Sequence, residues 1–211
     1  GIVLIGSDHT EELREKLSST SIPIVEVWSL DGPGMTVGFS DYEAMMTITK
    51  HVIDSGRRHI GYVDFHKPRI RRYADRRKGY ERAVRDCGLE FCMAVESSSP
   101  RDYRSGRTAL SELLRCKEDL DAVVCCTDIH ASGVIFEAMS LGMSVPGDIS
   151  VAGFGDYEIA ASIHPPLTTI RSQAYEMGMR AASILLKRMA DSSYVPQPCD
   201  VGFELIRRAS T

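Results

Sequence analysis

No apolar run in this 211-residue sequence approaches the roughly 20 residues that a bilayer-spanning helix needs. The opening Gly1-Ile-Val-Leu-Ile-Gly6 is too short for a secretory signal and has no basic n-region. Those absences point to the cytoplasm. The six cysteines, Cys87, Cys92, Cys116, Cys125, Cys126 and Cys199, show no paired Cys-x-x-Cys spacing, which leaves no metal site to expect. They read as buried free thiols in a reducing compartment. Cys125 and Cys126 are neighbours in an apolar run, where a strand would point one to each face. A basic excess is also missing. The net charge is -4, and phosphate contacts dominate DNA affinity, so this chain by itself is not expected to bind DNA well.

Catalytic signatures are missing too. No P-loop, His-Glu-x-x-His or nucleophile-elbow pattern occurs. An enzyme would have to use Cys125 or Cys126 as nucleophile with His130 or His59 as base. Cys126 and His130 are four residues apart, but a strand-to-helix change between them leaves their separation undetermined. The expectation is a binding module without cofactor or metal, and not an enzyme.

What is present is an ordinary globular composition, 43% hydrophobic and 26% charged, arranged as alternating strand and helix patterns. Apolar runs at Ile2–Ile5, Ile22–Val27, His59–Val63, Phe91–Val95, Ala122–Cys126 and Ile149–Phe154 are nearly continuous, as in strands covered on both faces. Between them, Tyr80, Ala83, Val84 and Cys87 follow helical spacing. So do Leu110, Leu113 and Leu114, then Val134, Ile135, Ala138 and Leu141, then Met177, Ala181, Ile184 and Leu185. Gly56, Gly88 and Gly142 stand where helices end, the expected left-handed caps, and Pro146 stops any continuation.

Alternating β and α units imply a parallel sheet with helices on both faces. Ligands of such sheets sit beyond the carboxyl ends of the strands. Those ends carry Ser7, Asp8 and His9, then Ser40 and Asp41, then Asp64, then Thr127 and Asp128, then Gly155 and Asp156. Hydroxyls, carboxylates and nearby arginines suit a polyhydroxylated or anionic small molecule. Singly, Ser40, Asp41, Thr127 and Asp128 each precede a helical pattern, and a helix cap worth about 1 kcal/mol explains such a residue as well. The stretch Lys67–Lys78 holds seven cations in twelve residues. Three readings stand: a solvated helix start, an anion clamp built on the planar arginine fork, or contact with nucleic-acid phosphate.

Longer blocks resemble a known family. Asp121-Ala-Val-Val-Cys-Cys-Thr-Asp-Ile-His-Ala-Ser-Gly133, the following Phe136 to Phe154, and His164-Pro-Pro-Leu-Thr-Thr-Ile-Arg171 are similar to the lac/galactose repressor (LacI/GalR) regulators. Ser55–Tyr62 and Arg76–Ala83 match earlier blocks in the same order. Val37–Ala44 and Val95–Ser99 further resemble the gluconate-repressor branch. The resemblance implies a periplasmic-binding-protein-like type I fold, two doubly wound parallel-sheet lobes with effector in the cleft between them. The first lobe would be residues 1–62 plus 172–191, and the second 63–171 plus 192–211. It also implies a homodimer that reaches operator DNA through a helix-turn-helix head. That head and the first lobe's opening β-α units are expected to be absent here, which leaves the first lobe incomplete.

By the same resemblance, Arg76 matches the effector-binding arginine and Arg72 another cleft position. Thr127 stands where relatives face the ligand, with Asp128 beside it. Ser40 and Asp41 match the first-lobe rim, and Ser7 follows the strand entering it. Gly155 occupies the place of the usual sugar-binding Asp, with Asp156 next. A carboxylate lost from the pocket suits an anionic effector, since like charge opposes binding. The expected function is sensing of a sugar or a sugar acid such as gluconate by a cytoplasmic transcription repressor. The alternative is a periplasmic sugar-binding protein of the same fold.

Overall fold

A computed structural model describes residues 1–32, 34–65, 70–89 and 102–211, and the backbone of 94–97. In chain order the first elements are β1 (Ile2–Ile5), α1 (Glu11–Ser18), β2 (Ile24–Val27), β3 (Met35–Gly38), α2 (Asp41–Asp54), β4 (Ile60–Phe65), α3 (Arg71–Asp86) and β5 (Ala94–Ser97). Then follow α4 (Tyr103–Cys116), β6 (Ala122–Cys125), α5 (Asp128–Ser140), β7 (Ser150–Ala152), α6 (Glu158–Ser162), β8 (Thr169–Ser172), α7 (Ala174–Ala190), β9 (Cys199–Asp200) and β10 (Phe203–Ile206). Among the described residues no helix is long and apolar enough to cross a membrane.

The chain forms two compact units. Unit 1 is Gly1–Ser40, Arg69–Arg71 and Ser172–Phe203, and unit 2 is Asp41–Pro68, Arg72–Arg171 and Glu204–Thr211. The first lobe expected from the resemblance ran to residue 62, whereas the contacts divide the chain after Ser40. The reason lies in the packing of α2. It buries Ala44, Met45, Ile48, Val52 and Ile53, and a Cβ added to Gly79 on α3 would fall 2.2 Å from the carbonyl oxygen of Tyr42 on α2. Contact that close ties α2 to α3 and so to unit 2.

Unit 1 is a parallel sheet in the order β1-β2-β3-β9, with α7 packed on β2 and β3. The helical stripe of α7 read from spacing, Met177, Ala181, Ile184 and Leu185, is the set of residues it buries. Unit 2 is built on a parallel sheet in the order β5-β4-β6-β7. Every residue of β4 and β6 is buried, as the unbroken apolar runs require of strands covered on both faces. One face packs against α4 and α5 through Val63, Val123, Leu110, Leu113, Val134 and Ile135, each side chain contributing about 1.5–3 kcal/mol on burial. Separately, β8 and β10 pair as a short two-stranded sheet.

The caps follow the sequence. Gly56, Gly88 and Gly142 have φ of 101°, 67° and 74°, the left-handed region in which glycine stops a helix without strain. The cysteines differ from expectation. Cys125 and Cys126 are buried and form no disulfide, but Cys87 and Cys116 are exposed, because each falls in the last turn of a helix or just beyond it, away from the sheet. Within the basic stretch, α3 begins at Arg71. Its outer face closes on itself through Lys78–Asp75 (3.1 Å), Arg77–Glu81 (3.0 Å) and Arg82–Asp86 (2.8 Å). Lys67, Pro68 and Arg69, Cys92, and much of the expected strand Phe91–Val95 lie outside the described residues.

Candidate effector site

The carboxyl ends of β4, β6 and β7 collect the chemistry of unit 2. Arg76 arrives there from the second turn of α3, because an arginine five residues after Arg71 lies on the inward stripe with Tyr73 and Tyr80. Its Nε donates to Oδ1 of Asp41 at 2.6 Å and its Nη1 to the carbonyl oxygen of Cys126 at 2.7 Å. The guanidinium lies over the Phe154 ring, 3.6 Å from the centroid, and 5.3 Å from that of Tyr73. Arg76 and Asp41 are only 6% and 7% exposed, so they meet as a buried ion pair rather than a solvent-screened one. Burial pushes the Asp41 carboxyl above its ordinary range, and attraction to Arg76 opposes this only in part. Burial also works against the charge on Arg76, which the Asp41 carboxylate more than offsets.

Arg72 is half-buried, with its guanidinium 5.7 Å from the Tyr73 ring centroid. Thr127 caps α5, its Oγ1 accepting from the His130 backbone N–H at 3.3 Å and lying 2.8 Å from His130 Nδ1. Asp128 is fully buried. One of its oxygens accepts from the Thr169 hydroxyl at 2.6 Å and the other from the Tyr157 N–H at 2.8 Å. Burial pushes its carboxyl up to about 6, the two hydrogen bonds working the other way. Asp156 is held at φ 51° between Arg171 (2.6 Å) and Arg208 (2.7 Å). Burial works to raise its carboxyl, and the bonds from Arg208 and Arg171 more than offset that, leaving it below the usual range. In unit 1, Ser7 Oγ accepts from Ser29 Oγ at 3.3 Å, and Ser40 is half-buried after β3.

Of the eight residues singled out from the sequence, Arg76 and Asp41 are thus in direct contact, and the carbonyl of Cys126 joins them to the strand end where Thr127 begins α5. Arg72 lies beside them against Tyr73. Asp128 and Asp156 have both oxygens engaged within unit 2, and Ser7 and Ser40 belong to unit 1. Sequence reasoning missed Phe154, the ring beneath Arg76, although its place after β7 was a usable signal. It also missed Arg171 and Arg208, which engage Asp156. The Cys126 carbonyl carried no signal, since a backbone acceptor has none.

The Cys126–His130 pair is closer than the sequence could fix, with Sγ 3.6 Å from Nδ1. Both residues are at zero exposure, so a substrate has no access to the sulfur. His59 instead lies 2.9 Å from a carboxylate oxygen of Asp119. Among the described residues no group of His, Cys, Asp and Glu could hold a metal ion.

Residues 49–211 match the family described as a periplasmic binding protein-like domain. The transcription regulator GntR from Chromobacterium violaceum superposes with a TM-score of 0.93 at 31% identity, covering 100% of this chain and 78% of that one. A LacI family transcriptional regulator from Silicibacter pomeroyi gives 0.88 at 32%, covering 99% and 76%. The chain belongs to the LacI family. Its fold is therefore the periplasmic-binding-protein-like α/β fold with parallel sheets that the sequence pattern and resemblance led one to expect. Among curated proteins, the HTH-type transcriptional regulator GntR of Escherichia coli K12 is 34% identical over 208 residues. That match covers 97% of this chain but 62% of GntR, so the chain spans under two thirds of the length of such relatives.

Proposed function

We propose that this chain is the effector-sensing region of a LacI-type transcription repressor and that a small sugar or sugar acid, such as gluconate, binds at the Arg76 cluster. The observation that carries the reading is the guanidinium of Arg76, fixed by Asp41, the Cys126 carbonyl and the Phe154 ring at the carboxyl ends of parallel strands, where ligands of open α/β sheets collect. A donor group already held in place loses little entropy when a ligand hydroxyl or carboxylate arrives. Arg72 and Thr127 flank it in the same unit. Asp128 and Asp156 complete the proposed set within unit 2 by shaping the strand ends through their internal bonds.

The mechanism is a population shift. Effector favours whichever arrangement of the two lobes it contacts best, and a homodimer carries that preference to operator DNA through a helix-turn-helix head. The relatives named HTH-type support the DNA partner, and a cytoplasmic location goes with it. Their being regulators also favours this reading over a periplasmic sugar-binding protein. The test is thermal unfolding of the full-length protein against a panel of sugars, sugar acids and nucleobases. A shift with a sugar or sugar acid that vanishes in Arg76→Ala, with the variant still binding operator DNA, is expected. A shift with nucleobases alone, or an unchanged effector affinity in Arg76→Ala, overturns it.

A further inference from the structure

Arg76 brings a charge to the site, but the structure has already answered that charge. Asp41 sits on its Nε at 2.6 Å, both partners are more than nine-tenths buried, and the pair is enclosed by the Phe154 ring on one side and the Cys126 carbonyl at one end. At so small a separation and away from water, the carboxylate cancels most of the field that the guanidinium would project toward a ligand. Two of the five N–H donors of Arg76 are used inside the chain, and Nη2 bonds to no other described residue. The guanidinium therefore keeps donors for a ligand while the ion pair as a whole carries no net charge.

We propose that Asp41 is the charge-selectivity residue of this site. By neutralising Arg76 it narrows the sugar-or-sugar-acid reading to its neutral, polyhydroxylated half and disfavours carboxylates such as gluconate. This rests on the Arg76 cluster being the effector site. A ligand hydroxyl can accept from Nη2 with the ion pair intact. A ligand carboxylate must share the same guanidinium with Asp41, which sets two anions against each other, or displace Asp41 and leave it buried without its partner. Arg72, half-buried beside Tyr73, and Asp75 on the same helix are the other charges acting on Asp41, and they are of opposite sign. Asp41 acts through Arg76 and is a positioning residue, which makes ligand charge preference, rather than affinity alone, the property to measure.

The experiment uses the full-length protein and Asp41→Asn. The asparagine oxygen can still accept from Nε, so the geometry is kept and only the charge is removed. Two probes differ at one end only, gluconate carrying a carboxylate where glucitol carries a neutral hydroxymethyl group, and both are titrated calorimetrically at low salt and neutral pH. The expected result is that Asp41→Asn moves the affinity ratio toward gluconate by tenfold or more. A ratio that changes less than twofold overturns the proposal, even when both affinities fall, since a merely structural role would weaken both alike. If neither probe binds either protein, the sugar reading fails on its own, and inorganic phosphate then tests Asp41 separately. Phosphate should raise the melting temperature of Asp41→Asn more than that of the wild type, with the excess lost in the double variant Asp41→Asn, Arg76→Gln. No excess overturns the proposal. Should Asp41→Asn not fold, Asp41→Ser takes its place with the same expected signs.

Discussion

Gly106 on α4 and Gly133 on α5 cross so closely that a Cβ added to either would lie 2.9 Å from the Cα of the other. The same Cβ would fall 2.1 Å from a backbone carbonyl oxygen, that of His130 for Gly106 and that of Tyr103 for Gly133. Neither neighbour is a flexible side chain, so the helices must separate to admit a methyl group. Gly106→Ala and Gly133→Ala should each cost about 1–3 kcal/mol, the range for overpacking a close-packed contact. Chemical denaturation reads this directly, and a loss under half a kcal/mol for both variants would contradict it.

Asp128 gives the fold a pH dependence whose sign is set by burial. Its carboxyl is raised from 3.8 to about 6, so the folded chain holds this proton more tightly than the unfolded chain does. Stability from this group is fully present below pH about 4 and falls as the pH rises to about 6. The total is on the order of 3 kcal/mol for a shift of this size. Asp128→Asn can keep both contacts, its oxygen accepting from the Tyr157 N–H and its amide donating to the Thr169 hydroxyl. Relative to wild type, the variant should gain stability at pH 7.5 and lose that advantage at pH 4.5. Parallel stability–pH curves for the two proteins would refute this.

Two stacked tyrosines should answer oppositely to loss of a hydroxyl. Tyr62 and Tyr80 lie with centroids 4.8 Å apart, both fully buried. The Tyr80 hydroxyl donates to the Ile60 carbonyl at 2.5 Å, whereas the Tyr62 hydroxyl has no hydrogen-bond partner among the described residues. Tyr80→Phe should cost about 1 kcal/mol, and Tyr62→Phe should be neutral or stabilising, since it removes a buried polar group that makes no bond. Urea midpoints that fall equally for both would reject the distinction.

The two arginines on Asp156 should differ in worth. Arg208 is mostly buried and also donates to the Leu167 carbonyl at 2.8 Å, while the Arg171 side chain is 45% exposed. Arg208→Ala should cost roughly 1–3 kcal/mol because a carbonyl and a carboxylate both lose a partner. Arg171→Ala should cost at most about 1 kcal/mol, as for other exposed ion pairs. Melting temperatures of the two variants decide it, and the reverse order would count against this account.

The parts of this molecule governed by repeating patterns could be read from the residues. Val123 and Val124 announce a covered strand, and Tyr80, Ala83 and Val84 announce the inward stripe of α3. Arg76 was visible too, but what completes its setting was not. Asp41 is thirty-five positions away, Phe154 lies on another strand end, and Cys126 contributes only a carbonyl. Gly133 could be read as part of a family block but not for its reason, since a close helix crossing leaves no periodic trace. Asp156 could be read as a strand-end carboxylate, but nothing local to it reveals Arg208, fifty-two residues on.

The polypeptide passes from unit 1 to unit 2 after Ser40, returns to unit 1 for Arg69–Arg71, goes back again after Arg171 and crosses once more after Phe203. Neither unit is one continuous stretch, so trimming the termini cannot release either of them whole. A single proteolytic nick at any of those passages leaves the remaining ones as covalent ties. A nicked molecule should therefore stay in one piece on a native sizing column and come apart only in denaturant.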